Sequence, residues 1–362
     1  MLAALGVLVY VLPFVALLVA MYFANSVESI AGALKVYIMM STVFCAGVYL
    51  NVLGYQEGLL DSVGVGLYVY PLEGGVLKLP SGFFRAPEIA AWHCATAVAF
   101  TVLLVMLRMF PGGTLFGIVV ILVLLGAVVL TGRRKMVVEL FVFAGVLTTL
   151  LMYYRDRSLR LVVLTGVLVL VLFVFQLLFV QDQGGVDLSS YVSRYGTVAQ
   201  EAGARLKVMT VDSFRWVIDH NGWIGAGAGS ASQGAAQFGG GIALVGGATE
   251  GGLAKVLAEL GVHGLLVCTW LMVGFAYACH AAIRDARDAL DRRWPVLAIG
   301  LLSLIGANIL VFATASQVFG DPFVLLMLGL MLGFVLRARG QGAAHNSSVS
   351  DEWLAAEQEH TR

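Results

Sequence analysis

The sequence predicts an all-α integral membrane protein. It has about nine transmembrane helices and one large external (periplasmic) loop, helical and then Gly-rich, between spans six and seven. Three observations predict this. Of 362 residues, 60% are hydrophobic and 12% charged, at a mean hydropathy of +0.91, a balance outside the range of soluble domains. Uncharged runs reach roughly the 20 residues that cross a bilayer as helix, Leu161–Val180 most cleanly; a β-barrel would instead alternate in segments of about ten. Basic residues also fall unequally between alternate loops, as in a chain threaded through a membrane in one orientation.

The spans are Ala3–Phe23, Ala33–Leu53, Ile89–Met109, Leu115–Leu130, Met136–Tyr153, Leu161–Val180, Leu260–Ile283, Trp294–Thr314 and Phe323–Leu336. Residues 1–180 thus hold six helices, 181–259 the large loop and 260–338 the last three helices. Residues 339–362 form a polar tail, expected to be disordered and cytoplasmic. One set of short loops and flanks carries Arg108, Arg155, Arg157, Arg160, Arg284, Arg287, Arg292, Arg293, Arg337 and Arg339, ten basic residues. The other set carries Lys78, Arg85, Arg133, Arg134 and Lys135, five in all. The richer side is cytoplasmic, so the large loop faces outward, into the periplasm if the cell is a diderm. Nine spans with an inner C-terminus put the N-terminus outside, unusual for a chain that starts directly in a span.

Cys45, Cys94, Cys268 and Cys279 lie in or beside apolar helices and make no CxxC or Cys/His spacing, so neither a disulfide framework nor a zinc site is indicated. The first apolar run begins at Met1-Leu2 without a basic n-region, which argues against a cleaved signal peptide.

The stretch from Gln181 to Leu260 is too long to be a passive connector. Leu188–His220 reads as helical, with Ser189 or Ser190 as cap and Glu201 four residues before Arg205 as a structural ion pair. Phe214, Trp216, Ile218, Trp223 and Ile224 are residues that a solvated linker would not carry. Twelve of the 31 residues from Gly222 to Gly252 are glycine, which lets backbone approach a ligand or a helix closely. Thr249 can cap a helix starting at Glu250. On that helix Lys255, Glu259 and His263, spaced four apart, share a face; an interfacial Lys–Glu pair with a nearby histidine and a catalytic set both fit.

Arg133-Arg134-Lys135 breaks the positive-inside rule in a tight outer turn. It reads either as a headgroup anchor or as an anion site, since arginine forks match phosphate oxygens two at a time. Arg85 lies just ahead of a helix whose first turn contains Pro87, where free N–H groups and the helix dipole favour anions. Arg215 sits beside Trp216, with Asp219 four residues on as a candidate partner. His93 and His280 read as packing or interhelical hydrogen-bonding residues. No Asp, Glu, Lys or Arg is expected at mid-membrane; Lys35, Arg108 and Glu139 are read as near span ends.

In order and sidedness these motifs resemble the O-antigen ligase and O-antigen/exopolysaccharide polymerase family of bacterial membrane glycosyltransferases. Three stretches carry the likeness, from about Leu79 to Leu336. Gly82-Phe83-Phe84-Arg85-Ala86-Pro87-Glu88-Ile89-Ala90 is similar to the family's entry into a span, and Leu130-Thr131-Gly132-Arg133-Arg134 to its "L-T-G-S-R". Trp223-Ile224-Gly225-Ala226-Gly227-Ala228-Gly229-Ser230, followed by Glu250 and by Ala258-Glu259-Leu260-Gly261-Val262-His263-Gly264-Leu265-Leu266, is similar to its Gly-rich loop and following span. The family has about twelve spans, so three would precede this chain's first.

The resemblance implies transfer of a glycan from polyprenyl diphosphate to the hydroxyl of a glycan, lipid or protein acceptor, without metal or cofactor. Under it, Arg134 and Arg215 are catalytic with Glu250, which orients or deprotonates the acceptor. Arg85, Arg133, Lys135, Gly225, Gly227 and Gly229 bind substrate. Membrane lipids and polysaccharide-assembly proteins are the expected partners, and nucleic acid is not. Two other readings stand beside it: a transporter or flippase for a lipid-linked or anionic substrate, and a non-catalytic subunit of a polysaccharide-export complex.

Overall fold

A computed structural model describes residues 2–55, 58, 60, 67–69, 77–153, 207–231, 251–287, 289, 291–314 and 318–339. The long helices are α1 (Leu2–Phe23), α2 (Val27–Val52), α3 (Pro87–Met106), α4 (Gly113–Leu130), α5 (Arg134–Tyr153), α7 (Gly252–Ala286), α8 (Arg293–Thr314) and α9 (Pro322–Arg337); α6 (Ser213–Asn221) is short. Seven of them are long and apolar enough to cross a membrane, and α9 is a shorter apolar helix. Eight of the nine expected spans therefore correspond to described helices, and Leu161–Val180 lies outside the described residues. The chain is a multi-pass α-helical membrane protein. Strands Leu67–Val69 and Leu77–Leu79, which the sequence reading did not anticipate, pair antiparallel with Leu67 opposite Leu79.

Boundaries shift where caps decide them. α2 begins at Val27, six residues before its expected start, because the Ser26 hydroxyl accepts from the Ser29 N–H at 3.1 Å. α3 ends at Met106 because Arg108 adopts φ 56°, a left-handed conformation that stops a helix. α7 starts at Gly252 after an extended Gly251, without a side-chain cap; Thr249 and Glu250 lie outside the described residues. α3 is the centre of the bundle: Ile89 to Thr101 is buried without a break. α1 packs along α9 because Gly329 and Gly333, four apart, present no Cβ where the Pro13 and Leu17 carbonyls of α1 approach, a small-residue seam of the kind that membrane helices use.

Polar contacts sort by end. At one end Arg293 pairs with Glu28 and Asp291, Arg339 with Asp285 (3.4 Å), and the Arg337 side chain donates to the Ala24 carbonyl. At the other end Arg133 pairs with Glu88 and Arg85 approaches Asp321. The two groups are the two loop sets separated on charge in the sequence.

Candidate functional site

The end holding Arg85 and Arg133 is built from three turns. Gly82, at φ 57°, passes against the α2 backbone at Gly47 and Val48, and its N–H donates to Asn51 Oδ1 at 2.9 Å. A side chain there would strike backbone, so the position requires glycine. The chain then turns through Ala86, extended, into Pro87 at the first turn of α3, as the sequence predicts. Arg85 is thereby left exposed, 3.9 Å from Asp321, whose other task is to cap α9 by accepting from the Phe323 N–H.

Gly132, at φ 66°, makes the second turn, between α4 and α5, with buried Leu79 against it. Arg133, Arg134 and Lys135 follow at once. The Arg133 guanidinium lies 2.6 Å from a Glu88 oxygen, each side chain less than a fifth exposed. Among Arg85, Arg133, Arg134 and Lys135 against Glu88 and Asp321, four positive and two negative charges leave two positive.

The third turn is the Gly-rich strap. α7 is broken at Gly261 (φ 68°, ψ −169°), a conformation essentially confined to glycine. A break frees helical N–H and C=O groups, which apolar surroundings make costly. The strap satisfies them: Ala226 N–H donates to the Ala258 carbonyl (2.7 Å), Gly227 N–H to the Glu259 carbonyl (3.0 Å), and Val262 N–H to the Trp223 carbonyl (3.0 Å). Gly225 lies against Gly261, where a Cβ would come 2.6 Å from its nitrogen. Gly229 and Ala228 run against Gly6 of α1. Gly225, Gly227 and Gly229 all have positive φ. Gly225 and Gly229 stand where strap and helix approach closely, whereas Gly227 has open space around it and is set by its φ of 98°.

The break also corrects one expectation. Lys255, Glu259 and His263 do not share a face, because the helical phase is lost at Gly261: Lys255 and Glu259 are buried and His263 exposed. Among the described residues Lys255 makes no ion pair with Glu259. The Tyr10 hydroxyl donates to Glu259 Oε2 at 2.8 Å instead, and Oε1 has no hydrogen-bond partner.

Arg215 is exposed on α6, whose other face packs Phe214, Trp216, Val217 and Ile218 toward Leu257 and Ala258. No ion pair with Asp219 forms among the described residues. Trp223 and Ile224, singled out as residues that a solvated linker would not carry, are 67% and 78% exposed. The structure therefore gathers Arg85, Arg133, Arg134 and Lys135 around α3–α5 and Gly225–Gly229 at α7, with Arg215 standing on α6. Glu250 lies outside the described residues. Among those described, no group of three His, Cys, Asp or Glu side chains is placed to hold a metal.

Beneath this end lies a buried polar group that sequence reading missed. Glu139, read as near a span end, is 0% exposed inside the bundle. Trp92 Nε1 donates to Asn308 Oδ1 (2.6 Å), and Asn308 Nδ2 donates to Glu139 Oε1 (2.8 Å). The Tyr37 hydroxyl meets His93 Nδ1 at 2.7 Å, the interhelical role expected of His93, and Phe84 stacks on the same ring. Glu139 stands near the start of α5, as read, and the signal for its burial was the apolar residues on both sides of it.

Compared with known proteins, the chain matches no protein-family model and no curated protein sequence.

Proposed function

We propose that the chain is an inner-membrane glycosyltransferase of the O-antigen ligase/polymerase type, moving a glycan from polyprenyl diphosphate to an acceptor hydroxyl at its periplasmic face. The observation that carries this is convergence: three motifs far apart in sequence lie at one end of the bundle, where Arg85, Arg133, Arg134 and Lys135 stand around Glu88 and Asp321. As the donor C–O bond breaks, negative charge grows on the departing diphosphate. Guanidiniums stabilise that charge by paired, charge-assisted hydrogen bonds to the diphosphate oxygens. Arg85, Arg134 and Arg215 take this role, with Lys135 and the Glu88-bound Arg133 shaping the field. Glu250 orients or deprotonates the acceptor. Holding two large lipid-linked substrates in line supplies much of the rate.

The test is reconstitution of the full chain in proteoliposomes with a polyprenyl-diphosphate oligosaccharide, with and without EDTA. Lengthened or transferred glycan, insensitive to EDTA, is expected, and Arg134→Ala should lower turnover by about 10²- to 10³-fold. Turnover untouched by Arg134→Ala and Arg215→Ala sinks the site assignment. The second reading, a transporter or flippase, is favoured by one observation, the carboxyl of Glu139 inside the bundle. Movement of donor between leaflets without its consumption is the result that would select it.

A further inference from the structure

Glu139 is the best-defined ionisable group that the proposed reaction does not use. It is wholly buried between α5, α8 and α3. Its hydrogen bonding is fixed by chemistry. An indole N–H can only donate, so the Asn308 amide must turn Oδ1 to Trp92 and Nδ2 to Glu139, and Glu139 Oε1 is an acceptor. Asn308 Nδ2 is also held by the Leu304 carbonyl at 2.9 Å, which keeps that orientation. Glu139 Oε2 has no partner among the described residues, and neither has the buried Thr96 Oγ1.

A carboxylate buried with only neutral partners is uncompensated, and that is costly at membrane depth. The charged and titratable groups facing this region are few. Arg134 and Lys135 lie one to one and a half turns earlier on α5 itself. α3 contributes Glu88 and His93, Glu88 already holding Arg133 and His93 held by Tyr37. α3 also carries Cys94, and α2 brings Tyr37, beside Thr96 and Ser41 and within electrostatic range of Glu139. None of these forms an ion pair with Glu139.

We propose that Glu139 Oε2 is the binding site for one compact monovalent cation, a proton or an alkali ion. Trp92 and Asn308 hold the other oxygen in place. Binding is a simple association, with one positive charge meeting one carboxylate and no bond to carbon broken. The site bears on the end above it. Five residues of helix put Glu139 about 7.5 Å along α5 from Arg134, so losing the cation sets a negative charge beneath Arg134 and Lys135 at the head of the same helix. Occupancy of Glu139 thus tunes the field that an anion would meet there. The inference does not depend on which reaction that end performs.

The test uses the full chain in lipid nanodiscs, with sodium or choline as the only monovalent salt, and compares wild type with Glu139→Gln, a neutral isostere. If the occupant is a proton, infrared spectra at neutral pH show a carboxylic-acid carbonyl band that Glu139→Gln removes. Asn308→Leu then shifts that band upward, because Oε1 has lost its donor. If it is an alkali ion, the band is absent, thermal stability of the wild type rises with sodium over choline, and Glu139→Gln abolishes the difference. Identical infrared spectra together with identical sodium responses in wild type and Glu139→Gln overturn the proposal. Should Glu139→Gln fail to assemble, an unshifted band in Asn308→Leu, with an unchanged sodium response, overturns it equally.

Discussion

Arg133 and Arg293 carry the same side chain at opposite ends of the bundle, and each is set by the carboxylate it meets. Arg133, held by Glu88, has most of its charge neutralised inside the protein. Arg293 donates from its backbone N–H and its guanidinium to Asp291, at 2.8–3.0 Å. Those side-chain hydrogen bonds, and then the backbone one, hold the Asp291 carboxyl below the usual carboxylate range. A depressed carboxyl stabilises the fold above its unfolded value, near pH 4, and that contribution is lost as pH falls through its folded value. Thermal midpoints of wild type and Asp291→Asn should therefore differ steadily at neutral pH and converge below about pH 4. A gap that persists in acid would show that Asp291 acts by something other than its charge. Single residues of this kind are poorly legible in sequence: Arg133-Arg134-Lys135 reads as three equivalent cations until Glu88, 45 positions away, is brought beside one of them.

At the scale of elements, apolar length gave eight helices close to their observed bounds, because a run that must cross lipid is constrained by thickness and by backbone satisfaction. Composition does not encode interruptions equally well. The break in α7 looks in sequence like one more glycine in an apolar run, and only the strap's hydrogen bonds explain why Gly261 stands there. The Gly329/Gly333 spacing was present to be read, and it marks the seam with α1. Glu139 does lie near the start of its span, as read, but its burial was not legible because the Asn308 amide that meets it comes from 169 positions away. The strap makes a sharp prediction. A Cβ at residue 261 would strike the Trp223 and Ile224 carbonyl groups at a φ of 68°, so Gly261→Ala should destabilise the protein by roughly 1–3 kcal/mol. Limited proteolysis would then cut within 222–231 faster than in wild type. A strap equally protected in the variant would mean that the break does not hold it.

The helices run between two ends, and the proposed function rests on those ends lying on opposite sides of a membrane. α3 runs from the Arg85 end to the Arg108 end, α4 returns to Thr131, and α5 leaves again; α7, α8 and α9 repeat the traffic from Gly252 to Arg287, Arg293 to Thr314 and Asp321 to Arg339. Among the described residues, the ion pairs Arg85–Asp321, Arg133–Glu88, Arg293–Glu28 and Arg339–Asp285 each stay within one end, as they must if apolar spans about 30 Å long separate the ends. The excess of basic residues at the Arg293 end is the ground on which that end is proposed to be cytoplasmic. Cysteine labelling checks this directly. In a background with Cys45, Cys94, Cys268 and Cys279 replaced, Ile224→Cys and Arg292→Cys each put one thiol at an exposed position of one end. A membrane-impermeant maleimide added to intact cells, past any outer membrane, should label Ile224→Cys at once and Arg292→Cys only after the inner membrane is opened. The reverse pattern would turn the arginine end toward the cytoplasm. It would remove the ground for a periplasmic transferase, because Arg85 and Arg134 would then face the wrong compartment for an externally presented lipid-linked glycan. Labelling of both in intact cells would mean that the two ends are not separated by the bilayer, and the bundle's charge asymmetry would need another cause.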